Sequence, residues 1–436
     1  MKLKMSFVLV LLISLIPMSV QAEEDQSVYY YILIDRFESG EENGEIVDID
    51  DPAAFQGGDF AGIMNRVDHL DTLGVTHVIL SPIFEANEYT GMDVSSYDHI
   101  QETFGTEEEL NQLINTLNDH NIEVILHFPI KDGVGESEWL SQLKSWEEQL
   151  PIDGYYISEI ERFSNDLWES AIREVNGSLI GETNENIDEY LKLGFDKVHD
   201  RSNQEALKSY FSQPDQSVDE LLEGSNIEDK RVIQSMDFID TNRFTHEFSE
   251  TGSHPVTYWK LALTYLMTVS NDTLIYQGSE IPLDGVKEDL SHHQLMNFLA
   301  GEDQLIRHIE KITNAYDDLP SLAMGDLELL HAEDSYLVFK KSYEDENTIV
   351  AINTSTTQQR TDIELEDGQE LRGLLEDDLI RQNDDGTYSI TVDREASNIF
   401  MVQENTGFYW PLIFIFAGGM TIFIIFTVMM YRKNKT

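Results

Sequence analysis

The 436-residue chain contains no cysteine, so disulfides, thiolate nucleophiles and cysteine-ligated zinc or iron–sulfur centres are excluded at the outset. Positive charge is scarce: 28 lysines and arginines stand against 82 aspartates and glutamates, a formal charge of −54. A phosphate backbone would be repelled along almost any face of such a molecule, which excludes nucleic-acid binding. No internal repeat or low-complexity tract interrupts the chain. What is present is enough to fold. Hydrophobic residues make up 41% and aromatic residues 10% of the sequence, so the acidity belongs to the surface of a globular protein and not to a disordered acidic chain. The length allows two or three domains.

The longest apolar runs lie at the ends. Lys2 and Lys4 lead into Met5–Met18, and Val20-Gln21-Ala22 precedes Glu23-Glu24-Asp25. This pattern predicts a signal peptide over residues 1–22, cleaved after Ala22. Phe408–Met430 holds no charged residue, and about 20 apolar residues suffice to cross a bilayer. The expectation is a transmembrane helix over 408–431, with Phe408, Tyr409 and Trp410 at one interface. Arg432, Lys433 and Lys435 in the tail 432–436 would then stay cytoplasmic. That arrangement predicts a single-pass membrane protein on a bacterial surface, with its body outside the cell.

Between the ends, strand-like and helical segments alternate. Tyr29–Ile34, Thr76–Leu80, Glu123–Phe128, Gly154–Ile157, Leu179–Ile180, Asp196–His199, Val232–Phe238 and Thr273–Tyr276 read as strands. Helical material follows them, as in Gly62–Leu73, Glu107–Leu117, Trp139–Leu150, Asp166–Val175, Glu205–Phe211 and Val256–Val269. Eight such units fit an α/β protein with a closed (β/α)8 TIM barrel better than a doubly wound sheet. After residue 320 the period changes. Leu327–Leu330, Tyr336–Lys340, Thr348–Asn353, Thr361–Leu365 and Tyr388–Val392 are short strands separated by Gly, Asp and Asn turns, which predicts a C-terminal antiparallel β-sandwich. The expected plan is a barrel over 23–320, a sandwich over 321–403 and a linker at 404–407.

Several stretches carry a resemblance. Tyr30–Phe37 (YYILIDRF), Phe55–Leu73 (FQGGDFAGIMNRVDHLDTL), Gly74–Phe84 (GVTHVILSPIF) and Phe104–Phe128 resemble the α-amylase family, glycoside hydrolase family 13. So do Asp153-Gly154-Tyr155, Leu179-Ile180-Gly181-Glu182, Phe238-Ile239-Asp240 and Thr273–Leu283, in the same order, and the resemblance covers roughly residues 29–403. It implies a barrel with a C-terminal β-domain and a site for α-glucan. The family inserts a lobe between its third and fourth strands, and only Pro129–Ile152 lie there in this chain, so that lobe is expected to be vestigial.

A retaining glycosidase needs a carboxylate nucleophile and a carboxylic acid about 5–5.5 Å apart across the scissile bond. The resemblance implies that Glu182, in the Gly-Glu ending strand five, matches the general acid. The family nucleophile is an Asp in a Gly-Phe-Arg-x-Asp pattern, and here the matching segment places Tyr156 at the arginine and Ser158 at the nucleophile. A serine is a poor substitute without a base, and none is evident nearby in the sequence. The His-Asp pair that supplies the third carboxylate matches Asn242 and Arg243 without gaps, and a cationic Arg243 would oppose the charge developing on the sugar. A small shift of alignment brings Asp240 closer. The strand-three motif carries His127, Lys131 and Asp132 where the family has Asp and Asn-His, and Met92 replaces a sugar-stacking tyrosine. Glu159 and Glu161 are the nearest displaced acids to Ser158.

No cofactor is expected, with calcium the one candidate. Gly57 and Asp59 of the GGD turn, with Glu41 and Asn43, resemble part of a calcium site in some family members, although acidic surface loops are the commoner origin of such residues. His246, His254, His292 and His293 lack metal-ligand spacing, and the last two read as a solvated helix start. The leading expectation is a family member of impaired or absent catalysis that binds α-glucan or acts as a scaffold. The alternatives are an active hydrolase or transglycosidase using Glu182 with a displaced carboxylate, and an accessory subunit holding a membrane-protein partner through helix 408–431.

Overall fold

Alternation of side chains along eight parallel strands closes a barrel in the computed structural model, which describes residues 26–40, 51–222, 229–249, 254–269, 272–299, 303–405, 407 and 410–433. The strands are β1 (Ser27–Ile32), β2 (His77–Leu80), β3 (Glu123–His127), β4 (Gly154–Ile157), β5 (Ser178–Thr183), β6 (Lys197–Asp200), β7 (Val232–Ser235) and β8 (Asp272–Tyr276). Each pairs with its neighbours in chain order, and β1 closes on β8 through the Ser27↔Asp272 register. One face of each strand points inward. Tyr29, Tyr31, Ile79, Ile125, Tyr156, Ile180, Ile233, Leu274 and Tyr276 fill the interior, while Tyr30, Ile32, Val78, Leu80, Val124, Leu126, Tyr155 and Ile157 pack outward under the helices. The period of two in the sequence is this division.

Two of the helices that cover the barrel start on their own capping groups. Thr106 and Glu109 form a capping box at Glu107–Asp119, and the Ser164 side chain accepts from the Leu167 N–H at the start of Asn165–Glu174. Between β1 and β2 the FQGGDF turn folds against the end of β1. Gln56 and Gly57 donate their N–H groups to the Asp35 carboxylate, and a Cβ on Gly58 would lie 2.0 Å from the Ile34 carbonyl oxygen. Only glycine allows that approach.

Helix Pro320–Met324 leads into an antiparallel region: β9 (Asp326–Glu333), β10 (Tyr336–Tyr343), β11 (Glu346–Asn353), β12 (Gln359–Ile363), β13 (Gln369–Gly373), β14 (Leu379–Arg381), β15 (Tyr388–Val392) and β16 (Ala396–Glu404). Six of these form one sheet in the order β9-β10-β11-β16-β13-β14, and β12 pairs with β15 as a separate ribbon. Their shared core contains Tyr336, Val338, Ile349, Leu371, Tyr388, Ile390 and Phe400. This region is tied to the barrel by Tyr258 Oη donating to Glu395 (3.0 Å), by Thr264 and Ser397 hydroxyls 2.8 Å apart, and by Lys311 Nζ donating to the Leu375 carbonyl (2.9 Å).

Two expectations for the ends need comment. The signal peptide at 1–22 lies outside the described residues. The transmembrane expectation for 408–431 is corrected. A helix does form over Trp410–Lys433, but its described side chains run from Phe414 to Met430. Among the described residues no helix is long and apolar enough to cross a membrane. The cell-membrane placement, with an external body and a cytoplasmic C-terminus, is overturned with it, and so is the basis for a membrane-protein partner.

Candidate active site at the barrel mouth

The carboxyl ends of β3 to β7 bring the candidate residues together. His127 is the last residue of β3, Ser158 follows β4, Glu182 lies near the end of β5, Arg201 follows β6, and the segment Asp237–Arg243 follows β7. The register Ile157↔Gly181 sets Ser158 beside Glu182 on neighbouring strands, and Glu182 pairs in turn with His199.

The floor of the mouth is neutral. Ser158 Oγ lies 2.7 Å from His127 Nε2, and His127 Nδ1 lies 2.7 Å from the Tyr31 hydroxyl. A second chain of the same kind runs deeper: Tyr156 hydroxyl to His199 Nδ1 at 2.7 Å, and His199 Nε2 to Ser235 Oγ at 2.9 Å. Burial pushes the His127 imidazole down to about 3 and holds His199 well below the usual histidine range, so both rings are neutral. The expectation that Ser158 has no base nearby is therefore corrected, because His127 is within hydrogen-bond reach. It is nonetheless a weak base. No carboxylate orients its second nitrogen, which meets a tyrosine, and the burial that keeps the ring neutral opposes its taking a proton.

Glu182 stands beside this floor. It is 6% exposed, and Arg201 Nη1 stands 3.1 Å from its Oε1. Burial raises the Glu182 carboxyl to about 7 against the opposing pull of Arg201, with Asp240 and Glu161 adding to the rise and a hydrogen bond from Ser158 moderating it. A carboxyl in that range exists in both protonation states near neutrality, as a proton donor requires. The other arm of the guanidinium, Nη2, reaches Asp240 Oδ1 at 2.6 Å, while Nε donates to Gln204 and the plane lies 4.6 Å above the Phe238 ring centroid. Arg201 thus holds Glu182 and Asp240 on one fork. Sequence reasoning missed it, since an Asp-Arg pair after an apolar strand has no signature of its own.

Arg243 does not face the mouth. It is 1% exposed, stacks 4.3 Å from the Tyr276 ring centroid, donates from Nε to the His292 carbonyl and lies 3.6 Å from Asp237 Oδ2. Asp240 is the half-exposed carboxylate that stands at the mouth in its stead. Glu159 pairs with Arg162 at 3.2 Å, Asp132 meets the same arginine at 2.6 Å, and Glu161 is exposed. A groove of about 400 Å³ reaches Ser158 between Met92, Asp93, Pro129, Lys131 and Arg162.

The histidine pair differs from expectation. His292 and His293 are buried and stacked with ring centroids 3.7 Å apart, and burial lowers them to about 4 and about 2. His293 Nδ1 meets the Tyr89 hydroxyl at 2.8 Å, so the solvated helix start is corrected to a packed lining of the mouth. Of the calcium candidates, Glu41 and Asn43 lie outside the described residues. Asp59 caps the helix Phe60–Met64, its carboxylate accepting from Gly62 N–H at 2.6 Å and Gly40 N–H at 2.9 Å, and Gly57 supplies a turn at φ 86°. Among the described residues no three His, Asp or Glu side chains converge to hold a metal ion.

Residues 31–213 match the family described as alpha amylase, catalytic domain, and residues 325–400 match the alpha-amylase C-terminal domain. The crystal structure of an Anoxybacillus α-amylase superposes with a TM-score of 0.81 at 30% identity, covering 88% of this chain and 99% of that one. An α-amylase from Geobacillus thermoleovorans, solved with acarbose, gives a TM-score of 0.80 at 25% identity over 87% and 99% of the two chains. A β/α-amylase of Paenibacillus polymyxa is 22% identical over 88% of this chain, which spans only 38% of that protein's length. With two-domain correspondence along nearly the full length of a solved amylase, the chain belongs to the α-amylase family of glycoside hydrolases.

Proposed function

We propose that this chain binds α-glucan at the barrel mouth and does not carry out two-step retaining hydrolysis. One observation supports the reading: Ser158, which the family resemblance sets where a retaining enzyme needs an anion, is hydrogen-bonded at 2.7 Å to a buried neutral His127. A serine hydroxyl with so weak a base cannot open a glycosidic bond and hold the sugar as an ester. The remaining machinery is partly kept. Glu182 is placed and tuned as a proton donor, and Asp240 has the charge that stabilises a cationic sugar, which favours a mouth that still accommodates glucan. The domain plan, a barrel to about residue 320 followed by the β-domain, is part of the same reading.

Calorimetric titration with maltoheptaose, together with mass spectrometry after incubation with an activated α-glucosyl substrate, tests it. Binding heat without any glycosyl ester is the expected result. A sugar ester on an Asp or Glu, or steady release of reducing ends with retained configuration, refutes the catalytic half; a flat titration refutes the glucan half.

A further inference from the structure

We propose that the pocket between the barrel and the β-domain binds the phosphate monoester of a small sugar or polyol. None of the residues placed at the mouth lines this pocket, so the proposal is independent of the reading that glucan enters there.

The pocket is built from both domains. Helices Pro255–Val269 and Asp303–Asp318 supply one wall, and Leu375, Glu376 and the chain entering β16 supply the other, around a volume of about 310 Å³. That is the lower end of the range for small-molecule sites, and more than a lone oxyanion fills. Charge is divided between the walls. Lys260, Arg307 and Lys311 all stand on the barrel side, where the spacing of Arg307 and Lys311 puts them on one face of their helix. Glu376 and Glu395 stand on the β-domain side.

The two walls do not neutralise each other. In a chain with 82 acids against 28 bases, lysines and arginines elsewhere pair with carboxylates, as Lys144, Lys340 and Arg381 do. Lys260 and Lys311 have no carboxylate partner among the described residues, although two glutamates line the same pocket. Lys311 spends one ammonium hydrogen on the Leu375 carbonyl, and Arg307 meets Asp303 through Nη1 alone, so donors remain on both. Glu395 accepts from the Tyr258 hydroxyl at 3.0 Å, and Glu376 is exposed.

Between the walls the buried polar groups are already satisfied. Thr264 Oγ1 donates to the Lys260 carbonyl and lies 2.8 Å from the Ser397 hydroxyl and 2.9 Å from His308 Nε2. Burial lowers the His308 imidazole to about 3, with the ammonium groups of Lys260 and Lys311 adding to the fall, so the ring is neutral and both cations act on it at close range. Recognition is therefore left to the two charged walls. Three cations on one side match the oxygens of a phosphate through charge-assisted hydrogen bonds. Carboxylates on the other side only accept, which suits the hydroxyls of a sugar or polyol attached to that phosphate. A ligand spanning the pocket touches both domains and should stabilise their docking by mass action.

Glucose 6-phosphate is the probe, titrated calorimetrically into the full chain at constant ionic strength, with inorganic phosphate titrated in parallel. The expected result is saturable binding of the ester, tighter than that of inorganic phosphate, and a melting temperature that rises with ester concentration. Lys260→Gln and Arg307→Gln should each weaken ester binding about tenfold or more. Arg307 is exposed, so its replacement removes charge without a packing loss. Lys192→Gln, at an exposed lysine paired with Asp188, controls for net charge and should leave the affinity unchanged. Absence of saturable binding, an affinity unchanged in Lys260→Gln and Arg307→Gln, or an equal loss in Lys192→Gln overturns the proposal. Equal affinity for inorganic phosphate overturns the assignment to an ester. Maltoheptaose heat on the native chain reads the mouth separately, so a failure here and a failure there are told apart.

Discussion

Ionising Glu182 should destabilise the fold, and the size of the effect follows from its surroundings. Its carboxyl is held at about 7 against an ordinary glutamate value of 4.5. At 1.36 kcal/mol for each tenfold change, that interval corresponds to about 3 kcal/mol. Because the folded value is raised, the contribution of the neutral carboxyl is whole below the unfolded value and is lost as pH climbs through the folded one. Glu182→Gln keeps the shape and a hydrogen-bond acceptor for Arg201 while removing the titration. Urea unfolding of both proteins at about pH 4 and about pH 8 isolates the residue from the many other carboxylates, since all of those are common to the pair. The variant is expected to gain about 3 kcal/mol on the native chain between the two conditions. A difference that stays flat, or that grows in favour of the native chain, would mean that Arg201 holds an ionised carboxylate in place. Glu182 could then not serve as a proton donor near neutrality.

Three other perturbations test separate parts of the argument. Ser158→Ala leaves His127 Nε2 without its partner in a fully buried position and should cost about 1–3 kcal/mol, read by denaturant midpoint; no loss would show that the Tyr31–His127–Ser158 chain contributes nothing to the floor. Gly58→Ala drives a methyl to within 2.0 Å of the Ile34 carbonyl oxygen, and about 3 kcal/mol or more of destabilisation is expected from the forced shift of β1's end. A native-like melting temperature would refute the close approach. Asp35→Asn removes the charge that pairs with buried Arg36 and weakens two backbone hydrogen bonds from Gln56 and Gly57, for a loss of about 3–5 kcal/mol. If its stability matches the native chain, the carbonyls of Pro52 and Ala54 are sufficient to hold the guanidinium.

What could be read from the sequence depended on whether a residue's surroundings are set locally. The barrel strands were legible because one face of each meets the interior and the other meets helices, so Tyr29, Tyr31, Tyr30 and Ile32 report their burial through alternation alone. Strands β13 and β14 were not, because Gln369–Gly373 and Leu379–Arg381 mix polar and charged residues, and only the pairing of β13 with Gln403 and Val402, and of β14 with β13, defines them. The site divides in the same way. Ser158 directly follows β4 and Glu182 lies near the end of β5, so both could be assigned by counting. His127, 31 residues before Ser158, and Arg201, 19 residues after Glu182, reach their partners only through barrel closure, which local pattern cannot express. The charge forecast at Arg243 failed for a related reason. A gap-free count assigns a position, whereas Tyr276, Asp237 and the His292 carbonyl draw that guanidinium into the wall and leave Asp240 at the opening. A departure such as Ser158 is therefore detectable in one dimension, but what surrounds it is not. Each of the two buried Tyr-His-Ser chains joins three barrel strands, and a neutral floor built across strands in this way can be recognised only after closure.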